Sequence, residues 1–293
     1  MSLPRLGVVI VTMGTRPREL EALLASVEKQ DVPAARVVLI GNATPLADVD
    51  VAANVTKVPL EENLGCPGGR NAGLEILRDS GEVDVVIELD DDGLLIDADV
   101  FRKVQQLFTM DPKLGIIGFR VADEHGHTER RWVPRLRAGD PMRRGLVTAF
   151  LGGGHAFSMP MLHETGLWAS EFFFGHEESD LAWRALDAGW KILYEPELVL
   201  QHPKTSPARH AVHYRFTARN RVWLARRRLP ALLIPVYLGV WILLTMARIR
   251  SLTGLKAWWG GFIEGVRTQC GPRKPMKWRT VWRMTRLGRP PLL

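Results

Sequence analysis

Short apolar runs separated by stretches of helical periodicity constrain this chain most. "LGVVIV" (residues 6–11), "RVVLI" (36–40), the run at 83–89 and "LGIIGF" (114–119) read as buried strands. After the first, Leu20, Leu23, Leu24 and Val27 recur at helical spacing behind Pro17, a residue suited to a first helical position. A second helix is expected from about Arg70 to Arg78. A third is expected near 99–110, with Val100, Val104, Leu107 and Phe108 on one face. Strands alternating with helices build a mainly parallel sheet covered on both faces, so the fold class is α/β and Rossmann-like. Ligands of such sheets gather outside the carboxyl ends of the strands. The functional question is what this chain places there.

In "VVIELDDDGLL" (85–95) a strand runs into Asp90, Asp91 and Asp92. An acidic turn before Gly93 would look the same. The other reading is a hard cation: Mg²⁺ or Mn²⁺ prefers oxygen ligands and is often held by one or two carboxylates plus substrate phosphates. In an extended chain Asp90 and Asp92 point the same way. "NLGCPGGRNAG" (63–73) carries a Gly-rich turn into a helix, offering N–H groups and a positive dipole end to phosphate or ribose. It lacks the Gly-Lys-Ser/Thr ending of a Walker loop and the Rossmann glycine spacing, which argues against nicotinamide cofactors. "GHEESDLAWRA" (175–185) puts acids in a first helical turn, where they complement the dipole. Behind Phe172–Phe174, one of them could be a general base in a partly dry cleft. His202 ends the strand of "ELVLQH", as the aspartates end theirs, and could ligate a metal. Residues 120–145 are Arg-rich and read as a loop, followed by the flexible glycines 152–154.

Taken in order, "VVIVTMGTR", "NLGCPGGRNAGL", "ELDDDG", "GGGHAFSM" and "FFFGHEESDLAWRALDAGWKILYEPELVLQH" resemble the inverting glycosyltransferases of family 2, which have the GT-A fold. The resemblance covers roughly residues 6–225. "HYRFTARNRVWLARRRLP" is similar to the region after the catalytic domain in rhamnosyl- and galactofuranosyltransferase-like members. The resemblance implies a nucleotide-sugar pocket lined by Thr12, Gly14, Arg16, Asn42, Asn63, Gly65, Arg70, Asn71, Asp90 and Asp91. It implies Mg²⁺ or Mn²⁺ on Asp92 and His202, and a sugar and acceptor cleft shaped by Gly153, Gly154, His155 and Glu177. Glu178 takes the position of the base, where the family has aspartate in a Glu-Asp-x-Asp pattern, with Asp180 and Glu177 as competitors. A second departure is "LIGNAT": Gly41 and Asn42 stand where many members end the strand in a base-contacting aspartate. The implied donor is a UDP- or dTDP-sugar.

The net charge of +7 hides a split. Residues 1–200 carry 20 Lys/Arg against 31 Asp/Glu, and residues 201–293 carry 19 against Glu264 alone. The basic part is also rich in Trp, Leu and Ile. It reads as a surface for anionic lipid and not as a nucleic-acid footprint. "LPALLIPVYLGVWILLTMA" (229–247) is uncharged but short for a span and holds Pro230 and Pro235. Residues 248–293 carry 11 Lys/Arg against one acid, and exporting them would conflict with the positive-inside tendency. Monotopic attachment at the cytoplasmic face of the membrane is therefore expected. Packing on the catalytic domain or in a homodimer is the competing account. The expected division is a catalytic domain over 1–225 and a helical, membrane-associating extension over 226–293. A membrane-proximal site suggests a polyprenyl-diphosphate-linked or other glycan acceptor, as in cell-envelope polysaccharide synthesis. No signal peptide is read at the N-terminus. Two distant cysteines, Cys66 and Cys270, give no disulfide framework and fit a reducing compartment. A sugar-nucleotide-forming nucleotidyltransferase is the competing enzyme, although "VTMGTRPREL" lacks the Gly-rich loop and lysine it needs. A membrane-bound scaffold with a degenerate site is the non-enzyme alternative.

Overall fold

A computed structural model describes residues 3–136, 140–203 and 211–292. Strands β1 (Leu6–Thr12), β2 (Arg36–Asn42), β3 (Val55–Leu60) and β4 (Val85–Asp90) run parallel in the order β3-β2-β1-β4. Side chains alternate across this sheet with period two. Val9, Val38 and Val86 join one apolar cluster, and Val8, Ile10, Leu39 and Ile87 join the other. Both faces are covered, which is why the runs read as continuously apolar. β3 is one of the strands that periodicity missed, with β8 behind the glycines read as flexible: "VTKVPL" lies on the sheet edge with no fully buried residue, so it has no apolar run to show.

The first two helices are α1 (Pro17–Glu28), with Pro17 in its first turn, and α2 (Gly65–Ser80). α2 begins five residues before the expected Arg70, so the Gly-rich segment is the opening of the helix. The glycines let it lie close to the sheet: a methyl at Gly69 would come within 2.9 Å of Val11, and one at Gly73 within 2.6 Å of Val9. β5 (Leu94–Leu95) precedes α3 (Val100–Met110), which has Val100, Val104, Leu107 and Phe108 buried as its spacing predicts. β6 (Leu114–Ala122), β7 (Gly145–Leu146), β8 (Gly154–Ser158) and β9 (Lys191–Gln201) complete a mostly parallel sheet. β8 is antiparallel between β4 and β6, and β6 is parallel to β9. The expected loop at 120–145 carries a 3-10 turn at Arg130–Trp132, and its residues 137–139 lie outside the described ones. α4 (Met159–Thr165) and α5 (Glu177–Ala188) lie between β8 and β9.

Four helices follow: α6 (Ala211–Arg228), α7 (Leu233–Arg248), α8 (Leu252–Arg267) and α9 (Trp278–Arg286). α8 packs on α6 through glycines; a methyl at Gly261 would fall 2.0 Å from the Arg215 carbonyl oxygen. The expected boundary at 225/226 falls inside α6. Trp223, Leu224, Leu229, Tyr237, Met276 and Met284 belong to the same apolar cluster as Trp183 and Phe157, so the last helices share a core with the sheet. α7 has 16 residues, about 24 Å at 1.5 Å per residue, against a hydrocarbon core of about 30 Å. Among the described residues no helix is long and apolar enough to cross a membrane.

Candidate active site

Register brings the expected residues to one edge. Val11 pairs with Asp90 and Thr12 with Gly41, so Thr12, Asn42 and Asp90 stand at neighbouring carboxyl ends of β1, β2 and β4. From this edge two acidic corners are built.

The first corner holds Asp90, Asp92 and His202, whose ligand atoms all lie within 4.8 Å of one another. His202 Nε2 is 3.1 Å from Asp92 Oδ1. Resident cations already compensate these charges: Arg16 bonds Asp92, and Arg70 Nη2 donates to Asp90 Oδ1 at 2.7 Å. Burial alone would raise the Asp92 carboxyl, but His202 and Arg16 outweigh it and hold it below its ordinary range. His202 is raised in turn: burial would lower it, and the bond it donates to Asp92 prevails. Asp91 turns aside, accepting from Thr12 Oγ1 at 2.6 Å, and burial raises it. Two carboxylates, one imidazole and positive groups seated against them fit a small divalent cation. Asp90, expected on the nucleotide side, shares in this corner.

The second corner is the start of α5. Glu177 is 2% exposed, and its Oε2 has no hydrogen-bond partner among the described residues. Burial, reinforced by the charge of Glu178, pushes it up to about 8. Burial also raises Glu178, against the pull of Arg70 and His155. The preceding turn places Phe173 and His176 in the left-handed region, at φ 64° and 73°, a conformation rarely held without support. α6 supplies that support. Asn220 Nδ2 donates to the carbonyls of Phe172, Phe174 and Gly175 at 2.8–2.9 Å, and Arg219 donates to Phe172. The Cys66 amide of α2 holds the Phe173 carbonyl from the other side.

The glycine loop joins the corners. A methyl on Gly152 would sit 2.7 Å from Glu178 Oε1 and 3.6 Å from both terminal nitrogens of Arg70. One on Gly153 would sit 3.6 Å from Asp90 Oδ2 and 3.9 Å from the His202 ring. Glu178, Arg70, Asp90 and His202 thus surround one small space floored by glycine.

Several expected residues serve elsewhere. Asp180 is fully buried on the far side of α5, bonded to Arg184 at 2.8 Å and Arg228 at 2.7 Å, so it is a structural ion-pair centre and not a base. His155 is also fully buried, beneath the cleft floor, with Nε2 2.7 Å from Glu88. Asn71 pins the Trp168 backbone through both ends of its amide. Asn42 spends its amide on Asn63, Leu64 and Gly65, ordering the entry to α2 instead of presenting itself to a base. Gly154 packs under Leu200 in the sheet. Gly14 and Gly65 take left-handed backbone, just after β1 and at the first residue of α2. Sequence reasoning passed over Glu88, which binds both His155 and the Trp168 indole. Its signal was an acid inside an otherwise apolar strand run.

The family described as "glycosyltransferase like family 2" matches residues 4–222. Several solved structures share the fold. GalNAc-T7 with UDP, GalNAc and Mn²⁺ is 16% identical, with a TM-score of 0.62 over 88% of this chain and 54% of that one. The mannosyltransferase PcManGT from Pyrobaculum calidifontis, with GDP-Man and Mn²⁺, is 18% identical, with a TM-score of 0.55 over 90% and 74%. TarS residues 1–349 from S. aureus is 13% identical, with a TM-score of 0.62 over 89% and 81%. The chain therefore spans about half of the GalNAc-T7 chain it matches. None of the curated proteins matches the sequence.

Proposed function

Since the chain belongs to the glycosyltransferase-like family 2, we propose that it transfers a sugar with inversion from a UDP- or dTDP-sugar to a hydroxyl of a lipid-linked glycan, at a cytoplasmic membrane face. The observation that carries this reading is the facing pair of corners: Glu178, raised by burial, stands across a glycine floor from Asp90, Asp92 and His202. Asp90, Asp92 and His202 would hold Mg²⁺ or Mn²⁺, which neutralises charge on a leaving nucleoside diphosphate when bound.

Glu178 accepts the proton of the acceptor hydroxyl. The acceptor oxygen bonds to the anomeric carbon as the bond from that carbon to the diphosphate oxygen breaks, and its electron pair leaves with the diphosphate. One displacement inverts the centre, and no covalent bond to the protein forms. A carboxylate with a raised pKa is the stronger base for this step. Arg70 lies within reach of both corners and keeps Asp90 in place.

Support for the membrane location comes from the last helices. Val236, Leu243, Met246, Leu252, Trp259 and Ile263 are exposed on α7 and α8, in a region with a large excess of Arg and Lys. The experiment is a donor screen reading nucleoside-diphosphate release with Mg²⁺ or Mn²⁺, with and without a polyprenyl-diphosphate sugar and anionic liposomes. Metal-dependent release that rises with the acceptor is expected. Release of pyrophosphate from nucleoside triphosphates instead would make the chain a nucleotidyltransferase.

A further inference from the structure

Two arginines meet the aspartate corner, and they are held differently. The Arg70 side chain is 4% exposed. Its Nη2 donates to Asp90 Oδ1 at 2.7 Å and to the Gly152 carbonyl, and its guanidinium lies 5.2 Å from the centre of the Trp168 ring. These contacts come from β4, the glycine loop and the Trp168 segment, so Arg70 is built into the protein. Arg16 stands immediately before α1, and its side chain is 42% exposed. Among the described residues its guanidinium has two partners, Asp92 Oδ2, and Asp91 Oδ1 at 3.8 Å. Asp92 is buried, with its other oxygen, Oδ1, 3.1 Å from His202 Nε2. A long side chain with solvent beside it leaves such a carboxylate by turning about its own bonds. Arg70 has no such exit.

Charge shows when Arg16 should leave. Asp90, Asp91 and Asp92 bring three carboxylates to the corner, and Arg16 and Arg70 bring two guanidinium groups. With both arginines in place, a divalent cation turns a net negative corner into a net positive one. The repulsion falls most heavily on Arg16, which would share Asp92 with the ion. Two changes relieve it: departure of Arg16, and arrival of an anion. A nucleoside diphosphate supplies the anion. It also offers the guanidinium a new partner, since the planar fork of arginine takes phosphate oxygens in pairs.

We infer that Arg16 is a displaceable counter-ion of the metal corner. It holds Asp92 until a divalent cation and a diphosphate arrive together, and then passes from the carboxylate to the diphosphate. The corner therefore binds a bare cation poorly and a cation with its diphosphate well, so cation and donor are taken up as a pair. This rests on the metal and donor reading above and adds the residue that couples the two.

The test is equilibrium dialysis with Mn²⁺ read by electron paramagnetic resonance, with no turnover involved. Wild type binds Mn²⁺ about tenfold or more tightly with UDP or dTDP than alone, and uridine gives no such gain. Arg16→Gln binds Mn²⁺ alone about tenfold more tightly than wild type does, and nucleotide then adds less than it adds to wild type. Arg16→Lys keeps the charge and stays within about threefold of wild type for Mn²⁺ alone. Arg18→Gln removes an exposed charge two residues away and changes Mn²⁺ binding by less than about twofold. Unchanged Mn²⁺ affinity in Arg16→Gln overturns the displacement, and so does an equal gain in Arg18→Gln, which would make the effect one of general field. In a second arm, at saturating Mn²⁺, Arg16→Gln weakens UDP or dTDP about tenfold and leaves the nucleoside unaffected. Equal weakening of nucleotide and nucleoside, or of neither, overturns the passage to the diphosphate. Asp92→Ala separates this inference from the reading beneath it. Mn²⁺ that depends on Asp92 but is indifferent to Arg16 overturns the inference alone. No Mn²⁺ bound by wild type or Arg16→Gln, with or without nucleotide, overturns the metal reading of the corner and the inference with it.

Discussion

The two acidic corners make opposite use of the same kind of residue. At the strand ends, Asp90 and Asp92 each have a cationic partner within the protein, and Asp92 is held acidic by its partners. At the start of α5, Glu177 and Glu178 sit among few partners and are raised by burial. Three residues on from Glu177, Asp180 is at least as deeply buried, yet Arg184 and Arg228 hold it below its ordinary range. Burial alone therefore does not make a base. What separates Glu178 from Asp180 is whether arginines arrive with the carboxylate, and the helix turn decides that by pointing one toward the glycine floor and the other into the core.

Substitutions can break this contrast in turn. Asp92→Ala should have the largest effect, a loss of about 10³-fold or more in donor turnover, because several kcal/mol of charge stabilisation go with the metal corner. Steady-state release of nucleoside diphosphate across a Mn²⁺ series measures it; turnover that survives would mean the corner is an ordinary acidic turn. Glu178→Gln should slow transfer about 10²–10⁴-fold while donor binding stays intact, as expected on losing a general base. Equal losses in Glu177→Gln, with Glu178→Gln active, would move the base by one residue. Asp180→Asn should act on stability instead, by about 3–5 kcal/mol, since it leaves buried arginines without their counter-charge. Denaturant unfolding reads that cost, and residual folded enzyme should keep its rate.

Titration sharpens the comparison with a smaller effect. The folded chain keeps the Glu177 proton to about 8, above the ordinary value of 4.5. The stabilisation this gives is complete below about 4.5 and is lost as pH rises through about 8. Asp180 has the opposite sign: its contribution is present above the ordinary aspartate range and lost as pH falls through its lowered value. Melting temperature followed between pH 5 and 9 should decline, and Glu177→Gln should flatten the decline. Transfer rate should climb with pH as Glu178 ionises, above the ordinary glutamate range.

The parallel strands and the first three helices were legible because both faces of the sheet are buried and the periodicity is unbroken. The gathering of Asp90 and Asp92 with His202 was legible because all three come at strand ends at one edge of the sheet. β3 was not, because an edge strand with every side chain at least partly in solvent has no apolar run to display. Asp180 stayed a competitor of Glu178 because one of the two cations that tie it down, Arg228, lies 48 positions away in the chain. Asn220 escaped notice for the same reason: its partners are backbone carbonyls of Phe172–Gly175, and carbonyls leave no mark on a sequence.

That asparagine gives α6 a second duty. One side of the helix grips the bent turn that presents Glu178, and another lies against α8 with no room for a methyl at Gly261. Among the described residues, α6 therefore ties α8 directly to the turn that presents Glu178, so that a shift of one is felt at the other.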